Sequence, residues 1–263
     1  MRSLFLSTIM LATAVCLYSF KTKSNAKIQI ASQSYVQVQP QLYFANTETT
    51  NAAYNQYLAA LLQQGDITAY NNAKIDTANW ITHNGFNNKK IAETYHVADD
   101  YKQYPVVNVS YKNAQHYCQW LTETYNADSN RKFKKVKFRL PTEAEWMFAA
   151  NNGSQLRNYS WNSESLTVAN GRFKGQYHAN FKRPTDGINT RMYFLGNSLS
   201  FYPNELGIYN LSGNAAEMVE EEGIAKGGSY SDEADGIKNS ARKTYQSSSP
   251  EIGFRVVMEV IEK

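Results

Sequence analysis

The sequence predicts an α+β domain with few helices, short strands and long surface loops. Three observations predict it. Apolar residues recur at helical spacing only in a few short, capped stretches. The runs that alternate with period two are brief. Two long stretches, an aromatic one over 63–104 and one dense in Asn, Tyr and Gly over 154–204, carry no long periodic segment. A loop region of that length inside a compact domain points to a functional or ligand-stabilised surface.

Each element has a local cause. Tyr35-Val36-Gln37-Val38 alternates and reads as a strand. Thr50 is placed to cap a helix whose buried stripe is Tyr54, Tyr57, Leu58, Leu61 and Leu62. Pro105 to Val109 is an apolar run, read as a strand. Ser110 then caps a second helix with the stripe Ala114, Tyr117, Cys118 and Leu121, ending in the polar Asn126–Asn130 stretch. Lys135 to Leu140 reads as a half-buried strand, which accounts for the basic run Arg131–Lys137. Pro141-Thr142-Glu143-Ala144-Glu145 spells a capping box, with a helix through Trp146 to Ala150 that stops near Gly153. No repeat and no Pro- or Gly-rich linker divides the chain. One domain is expected over 35–263, after a segment 1–26 and a polar linker 27–34.

Composition excludes several classes. Only Leu4 to Phe20 approaches the length of a spanning helix, so a polytopic membrane protein is excluded. Two cysteines in 263 residues cannot make a disulfide framework. A net charge of +4 gives no reason to expect nucleic acid as a partner. Residues 1–26 combine Arg2, an apolar core and a small-residue pattern at Ser24-Asn25-Ala26. They read as a signal peptide removed after Ala26 or as an uncleaved membrane anchor. Cys16 adds a lipid-modified cysteine as a third option, although its local context lacks the lipoprotein pattern. All three readings export the domain to the periplasm or envelope, with membrane contact only through this segment. After cleavage Cys118 stands alone.

Five segments, in order, carry a resemblance. They are Glu48-Thr49-Thr50-Asn51-Ala52-Ala53-Tyr54; Pro105 to Leu121; Phe138-Arg139-Leu140-Pro141-Thr142-Glu143-Ala144-Glu145-Trp146; Asn204 to Met218; and Lys226-Gly227-Gly228-Ser229-Tyr230 with Ala241-Arg242 and Gly253-Phe254-Arg255-Val256. Together they resemble the formylglycine-generating enzyme, or sulfatase-modifying factor, family across nearly the whole mature chain. The resemblance implies that family's fold, a loop-rich variant of the C-type lectin fold with little regular secondary structure. It implies a structural calcium on Asn210, Gly213, Ala215 and Glu217, using side-chain and carbonyl oxygens suited to a hard cation. The alternative for these residues is a tight Ser-Gly-Asn turn with Glu217 at the surface. A second calcium would fall at Asn180 and Phe181, with Asp186 nearby. Gly227–Tyr230 and Gly253–Arg255 are expected to be core strands meeting at the active-site floor. Arg242 and Arg255 are expected to hold carboxylates or loop carbonyls, or to make structural ion pairs.

An absence weighs against the family's reaction. Its oxidases use two cysteine thiolates, which suit soft copper(I), between Gly-Gly-Ser and the downstream Arg. Here the first position falls near Ala234 to Gly236 and the second is Asn239. Neither supplies a thiolate, so copper is not expected. Asp232, Glu233 and Asp235 cluster there, read as a solvated loop or as a second metal or general-base site, with Arg242 and Tyr230 beside them. His83, His96, His116 and His178 form no close-spaced ligand set. The expectation is an exported binding or scaffold component of the bacterial envelope with a protein partner. Some exported relatives in bacteria with gliding and type IX secretion machinery are assembly components of that kind. An enzyme of altered chemistry, or a formylglycine-generating oxidase, is the alternative.

Overall fold

The computed structural model describes residues 27–30, 33–77, 80, 89–153, 156–183 and 194–263. The expected leader 1–26, His83 and Asp186 lie outside the described residues. Among the described residues no helix is long and apolar enough to cross a membrane.

The first described residues, in the stretch expected to be a linker, form a sheet edge. Strand β1 (Lys27–Ile30) pairs antiparallel with β2 (Gln33–Gln39), because the strand needs a hydrogen-bonding neighbour and the preceding segment supplies one. Strand β3 (Leu42–Ala45) follows, and the final strand β9 (Val257–Glu262) pairs with both β3 and β4 (Lys135–Arg139). This gives a five-stranded sheet of order β1-β2-β3-β9-β4. In β4 the alternation holds, with Val136 and Phe138 buried and Lys135 and Lys137 out.

Thr50 caps α1 (Asn51–Gln63), accepting from the Ala53 amide at 3.2 Å. Leu62, expected in the buried stripe, is exposed because the chain turns at the next residues. Asp66 caps a short helix, α2 (Ile67–Ala73), and α3 (Lys89–Thr94) follows; both lie in the stretch expected to be loop, too short to show a period. The strand expected at 105–109 is reduced to isolated bridges, Thr50 with Pro105 and Val107 with Gly253. Asn108 at a φ of 61° turns the backbone out of extended geometry there. Ser110 caps α4 (Tyr111–Ala127), and Thr142 with Glu145 closes the capping box of α5 (Glu143–Ala150).

A second sheet, of order β7-β6-β5-β8, is built from β5 (Ala216–Met218), β6 (Ile224–Lys226), β7 (Lys243–Thr244) and β8 (Ile252–Phe254), with β5 and β8 parallel. The Gly227–Tyr230 segment does not continue β6. Gly227 and Gly228 take φ of 83° and 63°, and a Cβ on Gly228 would lie 2.4 Å from the Gly236 carbonyl oxygen. The core between helices and second sheet is aromatic: Tyr117 stands 5.7 Å from Tyr54 and 5.5 Å from Phe254, ring to ring. Cys118 is buried in this layer, as expected of a core thiol, and burial pushes its pKa far above the ordinary value.

Candidate functional site

Residues 204–218 fold back on themselves through four left-handed residues, Gly207, Asn210, Gly213 and Asn214, with φ of 85°, 54°, 80° and 66°. Gly213 approaches the Asn180 carbonyl so closely that a Cβ would sit 2.3 Å from its oxygen. Asn214, fully buried, spends its amide across three segments. Its Oδ1 accepts from the Gly196 amide at 2.7 Å and from Asn180 Nδ2 at 3.1 Å, and its Nδ2 donates to Glu48 at 2.7 Å. Asn210 Nδ2 donates to the other Glu48 oxygen at 3.2 Å and to the Ser198 carbonyl at 3.1 Å. Glu48 is fully buried, and desolvation pushes its carboxyl up to about 7, against the opposing pull of Arg255. Sequence reading missed Glu48 and Asn214 as network residues; the signal was their place in the Glu-Thr-Thr-Asn and Ser-Gly-Asn segments.

Glu217 is buried, so the alternative that placed it at the surface is overturned. Arg255 donates to both of its oxygens, at 2.6 to 3.1 Å, and Trp146 Nε1 donates at 2.8 Å. Arg255 also holds the carbonyls of Ala45 and Tyr209, which joins the two expectations for it, carboxylate and loop carbonyl, in one side chain. For a hard cation the donor set fits only in part. Among the described residues no hydrogen bond occupies Asn210 Oδ1 or the carbonyl oxygens of Gly213 and Ala215. The acceptor directions of Glu217, however, are taken by the guanidinium and the indole, and a cation there would have to displace Arg255. At the second expected position Asn180 is likewise engaged, donating to the Phe194 carbonyl at 2.8 Å, and Phe181 is a buried core ring.

The expected cysteine positions are structural. Ala234 opens a 3₁₀ turn, Ala234–Ile237. Asn239 is fully buried and ties a distant loop, donating to Asn151 Oδ1 at 2.9 Å while its amide donates to the Asn158 carbonyl at 2.7 Å. The three nearby acids do not converge. Asp232 turns inward to Ser229 and Lys243, Glu233 pairs with Lys182, and Asp235 pairs with Lys238. Lys243 is shared with Glu251, and Arg242 reaches away to Glu143. Tyr230 is buried. Among the described residues no group of three or more His, Cys, Asp or Glu could hold a metal ion. His96 is buried between Asn51 and the Trp80 indole, and desolvation lowers its pKa to about 3; His116 is exposed on α4.

A cavity of about 820 Å³ opens instead among the loops between 173 and 202. Phe173, Tyr177, Phe194, Phe201 and Tyr202 line it with Arg183 and Asn180. An aromatic row leads to it. Tyr159, Trp161 and His178 stack nearly parallel at 4.6 and 4.8 Å, and His178 leads on to Tyr202 and Phe173, themselves 5.0 Å apart. Phe201 holds a φ of 62°, a conformation that bulky side chains avoid and that persists only where the surroundings over-determine it. Elsewhere in the cavity wall the buried network reaches the lining directly, since Asn214 holds both Asn180 and Gly196.

Comparison with known proteins settles the family. Residues 12–260 match the sulfatase-modifying factor enzyme 1-like domain. The chain belongs to this family. It is 29% identical over 169 residues to the inactive C-alpha-formylglycine-generating enzyme 2 of Bos taurus, covering 58% of this chain and 50% of that protein. It is 31% identical over 126 residues to the formylglycine-generating enzyme of Thermomonospora curvata, covering 46% of this chain and 35% of that one. The chain thus spans half or less of the length of these relatives. Among solved structures, Treponema denticola variable protein 1 superposes with a TM-score of 0.57 at 17% identity, over 90% of this chain and 100% of that one. CarF superposes with 0.56 at 20% identity, over 83% and 86%. Both likenesses concern the fold.

Within the sulfatase-modifying factor family, then, the stretch where the resemblance places two thiols is occupied here by the Ala234–Ile237 turn and the buried Asn239. The cavity residues that sequence reading missed lie in loops without period. The signal available was the concentration of aromatics between 159 and 202.

Proposed function

We propose that this member is a non-catalytic binding domain, an exported component of the bacterial cell envelope that holds a protein partner. The observation that carries the reading is Asn239. At the position of the family's second cysteine stands a buried amide that cross-links loops and offers no thiol to copper. The family includes relatives named inactive, which is consistent with loss of catalysis on a retained fold. The preformed aromatic cavity is the surface on which binding is proposed, because such clefts of several hundred cubic ångströms suit ligand capture. Residues 1–26 are proposed to deliver the chain to the envelope. A partner in gliding or type IX secretion assemblies is the finer form of the reading.

The test is incubation of the full chain with copper, oxygen and a cysteine-containing sulfatase peptide. An unchanged peptide mass is expected, and conversion to formylglycine would overturn the proposal. Calcium remains a separate proposal, carried by the oxygens of Asn210, Gly213 and Ala215. A calcium-dependent rise in melting temperature, reversed by chelation, would support it; unchanged melting would remove it.

A further inference from the structure

The chain's formal surplus of +4 is not spread evenly. Residues 166–203 contain Arg172, Lys174, Lys182, Arg183 and Arg191 against the single acid Asp186. That excess equals the surplus of the whole chain, so the rest balances. The described lining of the 820 Å³ cavity contains no carboxylate, and Arg183 is its one cation. Arg183 lies 4.6 Å from the Tyr177 ring and Arg172 lies 5.2 Å from the Phe173 ring. A guanidinium held beside a ring keeps a planar fork of N–H donors that matches a carboxylate. Tyr202 and Phe173 add ring faces on which another aromatic group can pack, and Leu199, next in sequence to the lining residue Ser200, is more than half exposed.

We infer that this cavity takes an acidic segment of a partner protein that carries an aromatic side chain. The ring packs against Phe173 and Tyr202, and the carboxylates face Arg172 and Lys174. The basic rim favours an anion, and the apolar margin at Leu199 favours a polypeptide over a small charged metabolite or a sulfated sugar. This rests on the binding-domain reading and names the occupant of the same surface.

Calorimetry on the full chain tests it with four probes: a synthetic peptide alternating Asp with Tyr, its copy with Lys for Asp, its copy with Ala for Tyr, and a heparin fragment. The Asp-Tyr peptide is expected to saturate and to weaken about tenfold or more when salt is raised to about 0.5 M. The Lys and Ala copies and heparin are each expected to bind at least about tenfold more weakly. Arg172→Gln and Lys174→Gln, both exposed, should each weaken the Asp-Tyr peptide with unchanged melting temperature. Equal binding of the Lys copy, preference for heparin, no saturable binding, or full binding by both variants would overturn the inference. Such failure leaves the peptide-conversion result untouched, so the two readings fail separately.

Discussion

Two regions of this molecule use similar residues to opposite ends. Around Glu48, Asn210, Asn214, Glu217 and Arg255, charged and amide groups are buried and turned on one another. Every one of these residues belongs to a segment that carries the family resemblance. Around Phe173, Arg183 and Tyr202, cations and rings face an open cavity. The motif residues are consumed in holding loops together, and the open cavity is built by residues outside the motifs. Asn239, at a position where the resemblance places a cysteine, is part of the hydrogen bonding that holds the loops.

The sharpest break would come from exchanging the expected energies of the two regions. Arg255→Met leaves Glu217 buried without its counter-charge, and should cost about 3–5 kcal/mol in urea or thermal melts. Gly213→Ala forces a Cβ against the Asn180 carbonyl at a left-handed φ, with an expected loss of about 3–4 kcal/mol by the same measurement. Because Asn180 lines the cavity, this variant should also weaken binding there.

Glu48 gives the frame a pH signature. Its folded-state pKa of about 7 lies above its ordinary value of 4.5, so between these values the folded protein holds a proton that the unfolded chain has lost. Its stabilising contribution is full below about pH 4.5 and is lost as pH rises through 7, about 3 kcal/mol in all. Glu48→Gln should remove this slope, shown by denaturant midpoints from pH 5 to 8; an unaltered slope would contradict the assignment. The smallest stability effect belongs to the cavity. Tyr202→Ala should shift stability by less than about 0.5 kcal/mol, since the residue packs at the surface, while weakening partner binding. A large melting shift would place Tyr202 in the frame instead.

Much of the frame was legible because its causes are local. Thr50, Ser110 and Thr142 cap helices by hydrogen bonds within three residues, and the stripes through Tyr54 and Tyr117 follow from the helical period. The strand at 105–109 was misread because Asn108 looks like any residue of an apolar run until its φ is known. Asn210 and Glu217 were legible as polar residues of one segment, but their hydrogen-bond partners were not. The partner of Glu217 is Arg255, and nothing in the spacing says that a guanidinium and an indole fill its acceptor positions. The cavity was legible only as a region, since its walls meet through contacts between loops that have no period.

The central claim is that the family's oxidation has been lost while the fold persists. The most direct test is mass spectrometry of a cysteine-containing sulfatase peptide after incubation with the copper-loaded chain in oxygen, beside the Thermomonospora curvata formylglycine-generating enzyme as a positive control. The account predicts conversion by the control and an unchanged peptide with this chain. Formylglycine produced by this chain above the protein-free background would contradict it.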